Sequence, residues 1–213
     1  MMRLNTDTAS RSVKHGFSNA AKFHRAKVMA HKRLSRKVND AKARVVSVDL
    51  ETTGLEVEKD KIISIGAVKK AENGAYNCFY KLIRDDQKIP KQITALTAIT
   101  SEMLEKQGVN LDLALQELRE FVKESVIVGY NLRFDETFLS HGFRELKQSA
   151  LSNKMLDLMP VVKKTEKFLD NYRLATVLAA YNIKNETPHN ALSDAKATLD
   201  LAFKLMKNGK LRI

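Results

Sequence analysis

Residues 44–50, RVVSVDL, form an almost unbroken β-branched run that stops at an acid, and such a run predicts a buried strand. KIISIGAVKK (61–70) sets Ile63, Ile65 and Ala67 against Ile62, Ser64, Gly66 and Val68, and AYNCFYKLI (75–83) follows the turn Glu72-Asn73-Gly74. Three antiparallel strands in succession are therefore predicted. The Thr-rich stretch 89–107, which contains Pro90, predicts short helices, and Leu111, Leu115, Leu118 and Val122 recur at the spacing of an amphipathic helix over 111–123. SVIVGY (125–130) supplies the next strand, and a helix is expected over 131–144. The segment 156–162 reads either as a short strand or as the start of another helix. The last two helices are expected at 172–181 and 191–207, the second with an apolar stripe at Leu192, Ala195, Leu199, Ala202, Phe203 and Met206. Three strands followed by alternating helices and strands predict an α/β fold, a mixed five-stranded sheet flanked by helices, with any ligand at the strand ends.

Composition adds an asymmetry to this picture. A chain of 213 residues with 44% hydrophobic positions can bury one good core. Its net charge of +12 is unevenly spread: residues 1–44 hold twelve Lys and Arg against Asp7 and Asp40, a net +10, while the remainder holds 25 basic and 23 acidic residues. The expected organisation is a basic N-terminal extension (1–43) followed by one domain (44–213). The extension contains scattered Val13, Phe17, Val28, Leu34 and Val38 and reads as helix-prone. Two readings of it stand side by side: an arm that attracts phosphates through counterion release, or a solvated tail or helix packed on a partner. An organellar transit peptide ranks third. Cys78 is the single cysteine, which excludes an intramolecular disulfide framework and a cysteine zinc cluster and favours a reducing, cytoplasmic setting; packed as a small hydrophobe in a strand is its plain role. No apolar run approaches the ~18 residues needed to span a bilayer and the N-terminus lacks a secretory core, so a soluble protein with no membrane partner is expected.

Candidate chemistry lies in three short acidic motifs. Asp49 and Glu51 of DLETTGL are two apart, so a strand carries both on one face at its end. Val46, Val48 and Leu50 around them would bury charge, at several kcal/mol unless a cation or partner compensates; the alternative is an exposed pair beside the turn Thr52-Thr53-Gly54. Gly54 reads as a position whose backbone conformation is closed to other residues. Asn131 and Asp135 of NLRFD stand four apart, on one helix face, and Asn131 can also serve as the helix N-cap. His189 and Asp194 of HNALSDA are five apart, about 140° around an ideal helix. Pro188 therefore places His189 on a loop, and Asp194 falls in the first turns of a helix starting near 190. An unperturbed imidazole titrates near ~6.5 and suits a general base; a surface histidine capping that helix is the plainer alternative. Four carboxylates so arranged suit two hard divalent cations about 3.5–4 Å apart, the geometry that stabilises both the attacking and the leaving oxygen in phosphodiester cleavage.

With these motifs in this order, the chain resembles the DnaQ-like (DEDDh) 3′-to-5′ exonucleases, in particular the proofreading exonuclease domains and subunits of bacterial DNA polymerase III. The likeness covers roughly 44–208 and includes ITALTAIT and NYRLATVLAAYNI. It implies a ribonuclease H-like fold in which Asp49, Glu51 and Asp194 bind one Mg²⁺ or Mn²⁺. Asp49 would bridge to a second ion, held by Asp135 mainly through water, and His189 would be the base. The backbone of Thr52, with Thr53 and Leu55 nearby, would contact the 3′-terminal nucleotide, and Asn131 is counted with these substrate-binding residues. Leu132 and Ala98 depart from the family's usual Ala and Gly and bear on substrate width and on the fit of the terminal base. The implied activity is hydrolysis at a nucleic-acid 3′-hydroxyl end to nucleoside 5′-monophosphates, in proofreading or end-trimming. Single-stranded DNA is the favoured substrate, and the basic arm would dock a polymerase or a nucleic-acid-processing complex. Two other readings are kept: a nucleic-acid-binding or assembly subunit, and an RNA-directed exonuclease.

Overall fold

The computed structural model describes residues 45–71, 73–86 and 88–213, with Met29 alone before them. The expectations for the basic extension, and Glu72 of the predicted turn, lie outside the described residues. One compact unit spans Lys42–Ile213.

Strand β1 (Val45–Thr52) is the middle of a five-stranded sheet ordered β3-β2-β1-β4-β5, where β2 is Ile62–Lys70, β3 Tyr76–Leu82, β4 Val126–Gly129 and β5 Met155–Asp157. The β1–β2 and β2–β3 pairs are antiparallel and the β1–β4 and β4–β5 pairs parallel, which is the mixed sheet expected. Seven helices accompany it among the described residues: α1 (Lys91–Thr97), α2 (Ser101–Gln107), α3 (Leu111–Val122), α4 (Leu132–Glu145), α5 (Leu158–Thr165), α6 (Leu174–Ala180) and α7 (Ala191–Lys207). None of the described helices is long and apolar enough to cross a membrane.

The two-residue period of β1 divides the core. Val46, Val48 and Leu50 pack with Leu115 and Leu118 of α3 and Leu132, Phe138 and Phe143 of α4. Val45, of opposite parity, joins Leu158 and Val162 of α5, Val177 and Leu178 of α6, and Leu199 and Ala202 of α7. Asp49 and Glu51 share the parity of Val45 and so belong to the α7 side of the sheet. Because helices cover both faces, Ile62 to Val68 of β2 are all buried.

Gly66 is the close contact that seats α7. It lies opposite Asp49 in the β1–β2 register, and a Cβ placed there would stand 2.3 Å from the Ala191 carbonyl carbon and 2.5 Å from the Leu192 nitrogen. Only a residue without a side chain lets the start of α7 rest on the strand beside the acids. The β2–β3 turn uses Gly74 at φ 84°, with its N–H donating to the Ala71 carbonyl at 2.9 Å.

Four local expectations are refined. The segment 156–162 is both strand and helix, joined at Asp157, whose Oδ1 accepts the Met159 N–H and caps α5. Helix α6 starts at Leu174, because Asn171 Oδ1 accepts the Arg173 N–H (3.0 Å) and turns the chain before the helix. Cys78 is exposed, since β3 is the edge of the sheet and its outer positions have no covering layer. Gly54 is not among the described glycines of positive φ; its missing side chain instead makes room for the Asp60 carboxyl, which would lie 2.5 Å from a Cβ there.

Candidate active site

β1 delivers Asp49 and Glu51 to the end of the sheet, and a register shift between Glu51 and Thr52 re-aims the strand as it leaves. Helix α7 brings the third acid. Its buried positions Ala191, Asp194, Ala195, Thr198 and Ala202 form one stripe, so Asp194 projects inward among small residues. One carboxylate oxygen each from Asp49, Glu51 and Asp194 lies within 4.8 Å of the others. All three are hard oxygen donors of the kind Mg²⁺ and Mn²⁺ prefer, and this convergence fits a divalent cation.

Asp135 reaches the group from the other face. It sits on the buried stripe of α4 with Leu132, Leu139 and Gly142, and its Oδ1 accepts the Leu50 N–H at 2.9 Å. Strand β4 pairs with β1 only as far as Ser47, so the Leu50 amide lies beyond that partner and the carboxylate satisfies it. The bond fixes Asp135 between the two acids of β1.

Electrostatics register the crowding. Burial, and then the charges of Asp135, Asp194 and Glu51, hold the Asp49 carboxyl well above the ordinary carboxylate range. Glu51 is raised to about 7 by burial and by Asp194. Asp135 is also raised, by burial first and with Glu51 adding to it, against the lowering by its backbone hydrogen bonds. Asp194 is raised by burial, opposed by hydrogen bonds from Asn185 and from the His189 backbone. Protonation relieves such packing at a cost in charge, and a divalent cation relieves it with the charges retained.

His189 stands where the sequence places it, on the loop before α7, with φ 61°. Its backbone N–H donates to Asp194 Oδ2 at 2.9 Å, so the two residues are tied through the main chain while the exposed imidazole is left free of that bond. Asn190 rather than His189 caps the helix, its Oδ1 accepting the Ser193 N–H. Thr52 and Thr53 are buried; Thr53 Oγ1 donates to Asp60 Oδ1 (3.0 Å) and accepts the Lys61 N–H (3.0 Å), which stiffens the loop carrying Leu55. Leu55 itself is 84% exposed. Asn131 is the α4 N-cap in position only: it is left-handed at φ 61° and its side-chain amide makes no capping bond, while its backbone N–H donates to Asp157 Oδ1 (2.9 Å). Asn131, His189 and Asp194 line one cavity of about 940 Å³.

The two family departures fall in different places. Leu132 is 2% exposed and packs against Gly129 in the core. Ala98 ends α1 in the left-handed conformation at φ 58°.

Three residues escaped the sequence reading. Asn185 donates to Asp194 Oδ1 and accepts from Ser193 Oγ (2.7 Å), which knits the loop before His189 to α7. Asp157 joins Asn131 to α5. Tyr80 occupies the row Asp49–Gly66–Tyr80 across three strands; burial pushes its hydroxyl up, Glu51 adds to that, and hydrogen bonds with Ser64 and Asn190 oppose it. Counting that row was the available signal for Tyr80.

The RNase T exonuclease family model matches residues 46–202. Among relatives, the PolC-type DNA polymerase III of Clostridium perfringens is 35% identical over 165 residues, covering 76% of this chain and 11% of the polymerase. The 3′-5′ exonuclease DinG of Staphylococcus haemolyticus is 33% identical over 157 residues, 74% of this chain and 17% of that protein. The chain thus spans a small fraction of the relatives it matches. Among solved structures, the nuclease domain of 3′hExo bound to rAMP superposes with a TM-score of 0.68 at 16% identity, over 79% of this chain and 94% of that one. Exonuclease I of E. coli with a dT13 oligonucleotide gives 0.67 at 19% identity, over 76% and 40%. These structural likenesses establish the shared ribonuclease H-like fold. A family match over most of the domain, on a sheet that gathers the motif acids at one strand end, makes this chain a member of the exonuclease family.

Proposed function

We propose that residues 44–213 form a 3′-to-5′ exonuclease domain that uses two divalent cations, Mg²⁺ or Mn²⁺, to hydrolyse the terminal phosphodiester at a nucleic-acid 3′-hydroxyl end, releasing nucleoside 5′-monophosphates. The observation that carries this reading is the convergence of Asp49, Glu51 and Asp194 oxygens to within 4.8 Å. Asp49, Glu51 and Asp194 would hold one cation, and Asp49 with Asp135 the second. Bound cations there would supply positive charge to the attacking and leaving oxygens. The protein's own part is positional. The Leu50 amide and the Asn185 amide keep Asp135 and Asp194 oriented, and His189 takes the proton of the attacking water. Thr52, Thr53 and Leu55 would receive the terminal nucleotide, and Asn131 would line the approach.

DNA is the favoured substrate, since the relatives are a DNA polymerase III and the exonuclease DinG, and Exonuclease I is seen with a DNA oligonucleotide. The rAMP held by 3′hExo supports an RNA 3′ end as the second reading. Phosphate contacts carry no base identity, so little sequence preference is expected. The extension 1–43, with its net positive charge, would tether the strand or dock a polymerase or nucleic-acid-processing complex in the cytoplasm.

The test uses the full chain with 5′-labelled single-stranded DNA, duplex DNA and RNA, each in Mg²⁺, Mn²⁺ or EDTA. Expected is a ladder shortening from the 3′ end, with mononucleotide products and no reaction in EDTA. Internal cuts, or shortening that persists in EDTA, would overturn the proposal.

A further inference from the structure

The cavity of about 940 Å³ that begins at Asp194 and His189 does not end there. It continues past Tyr130 to Lys163, Tyr172 and Arg173, on helix α5 and the loop that joins it to α6. Its size exceeds what one small substituent fills and suits a chain of more than one nucleotide. Lys163 and Arg173 therefore share a chamber with His189 and Asp194, two of the residues assigned to the chemistry.

The loop is a built feature. Tyr130 Oη donates to the Tyr172 carbonyl at 2.6 Å and Tyr172 Oη to the Glu166 carbonyl at 2.7 Å. Asn171 Oδ1 accepts from both the Arg173 N–H (3.0 Å) and Thr176 Oγ1 (2.8 Å). Lys163 Nζ stands 5.8 Å from the centre of the Tyr172 ring. On this stapled loop Phe168 is 98% exposed, with Leu169 anchored in the core beside it and Lys167 and Lys164 exposed nearby. Two acids flank Phe168 at equal distance in sequence: Glu166 is engaged by Lys210 and Tyr181, and Asp170 is exposed. Over 163–173 Lys163, Lys164, Lys167 and Arg173 outnumber the two acids, and a bare aromatic ring beside such cations is what a single strand uses: cations for the backbone, a π-face for a base.

We infer that the strand upstream of the scissile phosphate runs through this cavity, with Lys163 and Arg173 taking backbone phosphates, and that Phe168, which lies outside the cavity on the loop that carries Arg173, stacks a base further along the strand. The inference rests on the exonuclease reading above. If the scissile phosphate lies at the acids, a strand leaves it in two directions only. The loop of Thr52, Thr53 and Leu55 takes the terminal nucleotide in that reading and none of the three lines the cavity, which leaves the cavity to the remaining nucleotides. Their contacts would make the enzyme favour longer strands.

The experiment compares kcat/KM for a single-stranded 20-mer with that for the p-nitrophenyl ester of thymidine 5′-monophosphate, which has no second nucleotide. Full-length wild type, Phe168→Ala and the double variant Lys163→Ala/Arg173→Ala are measured. All three side chains are exposed, and matching melting curves check that the variants fold. The wild type is expected to favour the 20-mer. That preference should fall about fivefold or more in Phe168→Ala and tenfold or more in the double variant, whose log–log salt dependence should flatten by about one unit. If the wild type is active and both variants keep its length preference within twofold, the inference is overturned and the exonuclease reading stands; that result would leave Phe168 to a protein partner. If the wild type cleaves neither substrate, the reading and the inference fall together.

Discussion

Ala98 holds φ 58° at the C-terminus of α1, where its N–H still donates to the Thr94 carbonyl. An L-residue with a Cβ pays about 1–2 kcal/mol for that conformation, and glycine does not. Glycine brings extra unfolded-chain entropy of about 0.5–1 kcal/mol, so Ala98→Gly should stabilise the fold by up to about 1 kcal/mol, read as a higher urea midpoint at unchanged m. A lower midpoint would show that the methyl contributes packing at this exposed position. His189 is also left-handed, yet there the conformation serves the site: it aims the backbone N–H at Asp194. Because that bond belongs to the main chain, His189→Ala should leave the acid in place and remove only the proton acceptor. Turnover is expected to drop by on the order of 10² to 10⁴, with the metal concentration for half-activity little changed. Activity within threefold of wild type would dismiss the imidazole as the base. Asp49 and Glu51 were legible because they end a β-branched run two residues apart; Asp135 and Asp194 were legible from their spacing to Asn131 and His189, and the structure adds that both lie on buried helical stripes. Asn185 interrupts nothing, and a lone loop amide carries no pattern from which its bond to Asp194 could be read.

Strand β2 and helix α7 meet through an absent side chain, and this contact fixes how far Asp194 stands from Asp49. In Gly66→Ala the new methyl would fall 2.3 Å from backbone, which cannot rotate aside as a side chain can. Helix α7 must then lift, and Asp194 with it. A displacement near 1 Å is worth about 10² in rate, and overpacking of this kind costs about 1–3 kcal/mol. Gly66→Ala is thus expected to lose about a hundredfold in kcat and a few degrees in Tm; a variant with wild-type turnover would show that α7 does not depend on this contact. The sequence pattern read Gly66 as one more position in an alternation, since a strand's period reports its own two faces and says nothing of what crosses them. The same limit explains the helix boundary at 172–181: apolar spacing extends to Tyr172, but the Asn171 turn excludes it from α6. Elements with a continuous period, β1, α3 and α7, were placed almost to the residue, whereas junctions made by one polar side chain, such as Asp157, were not.

Packing four carboxyls at the end of the sheet ties the stability of the entire fold to protons and cations. Without a metal, all four have folded-state affinities for protons above those of the unfolded chain, where carboxyls titrate near ~4. The folded state then binds more protons than the unfolded one, so the contribution of these groups favours folding at low pH. It declines as pH rises from about 4 through the value of about 7 reached by Glu51. Divalent cations reverse the trend, because they bind the ionised carboxylates of the folded site and compete with the protons there. The difference in Tm between Mg²⁺ and EDTA isolates this site from every other titrating group, since those contribute equally to both curves. That difference is expected to be small at pH 5 and to widen toward pH 8, where saturation at a hundred times Kd adds about 2.7 kcal/mol. Asp49→Asn removes the oxygen charge at the centre of the cluster and should close most of the gap at pH 8, with Glu51→Gln closing part of it. A gap that stays constant across this range, or survives Asp49→Asn intact, would place the cation elsewhere on the protein and detach the clustered acids from metal binding.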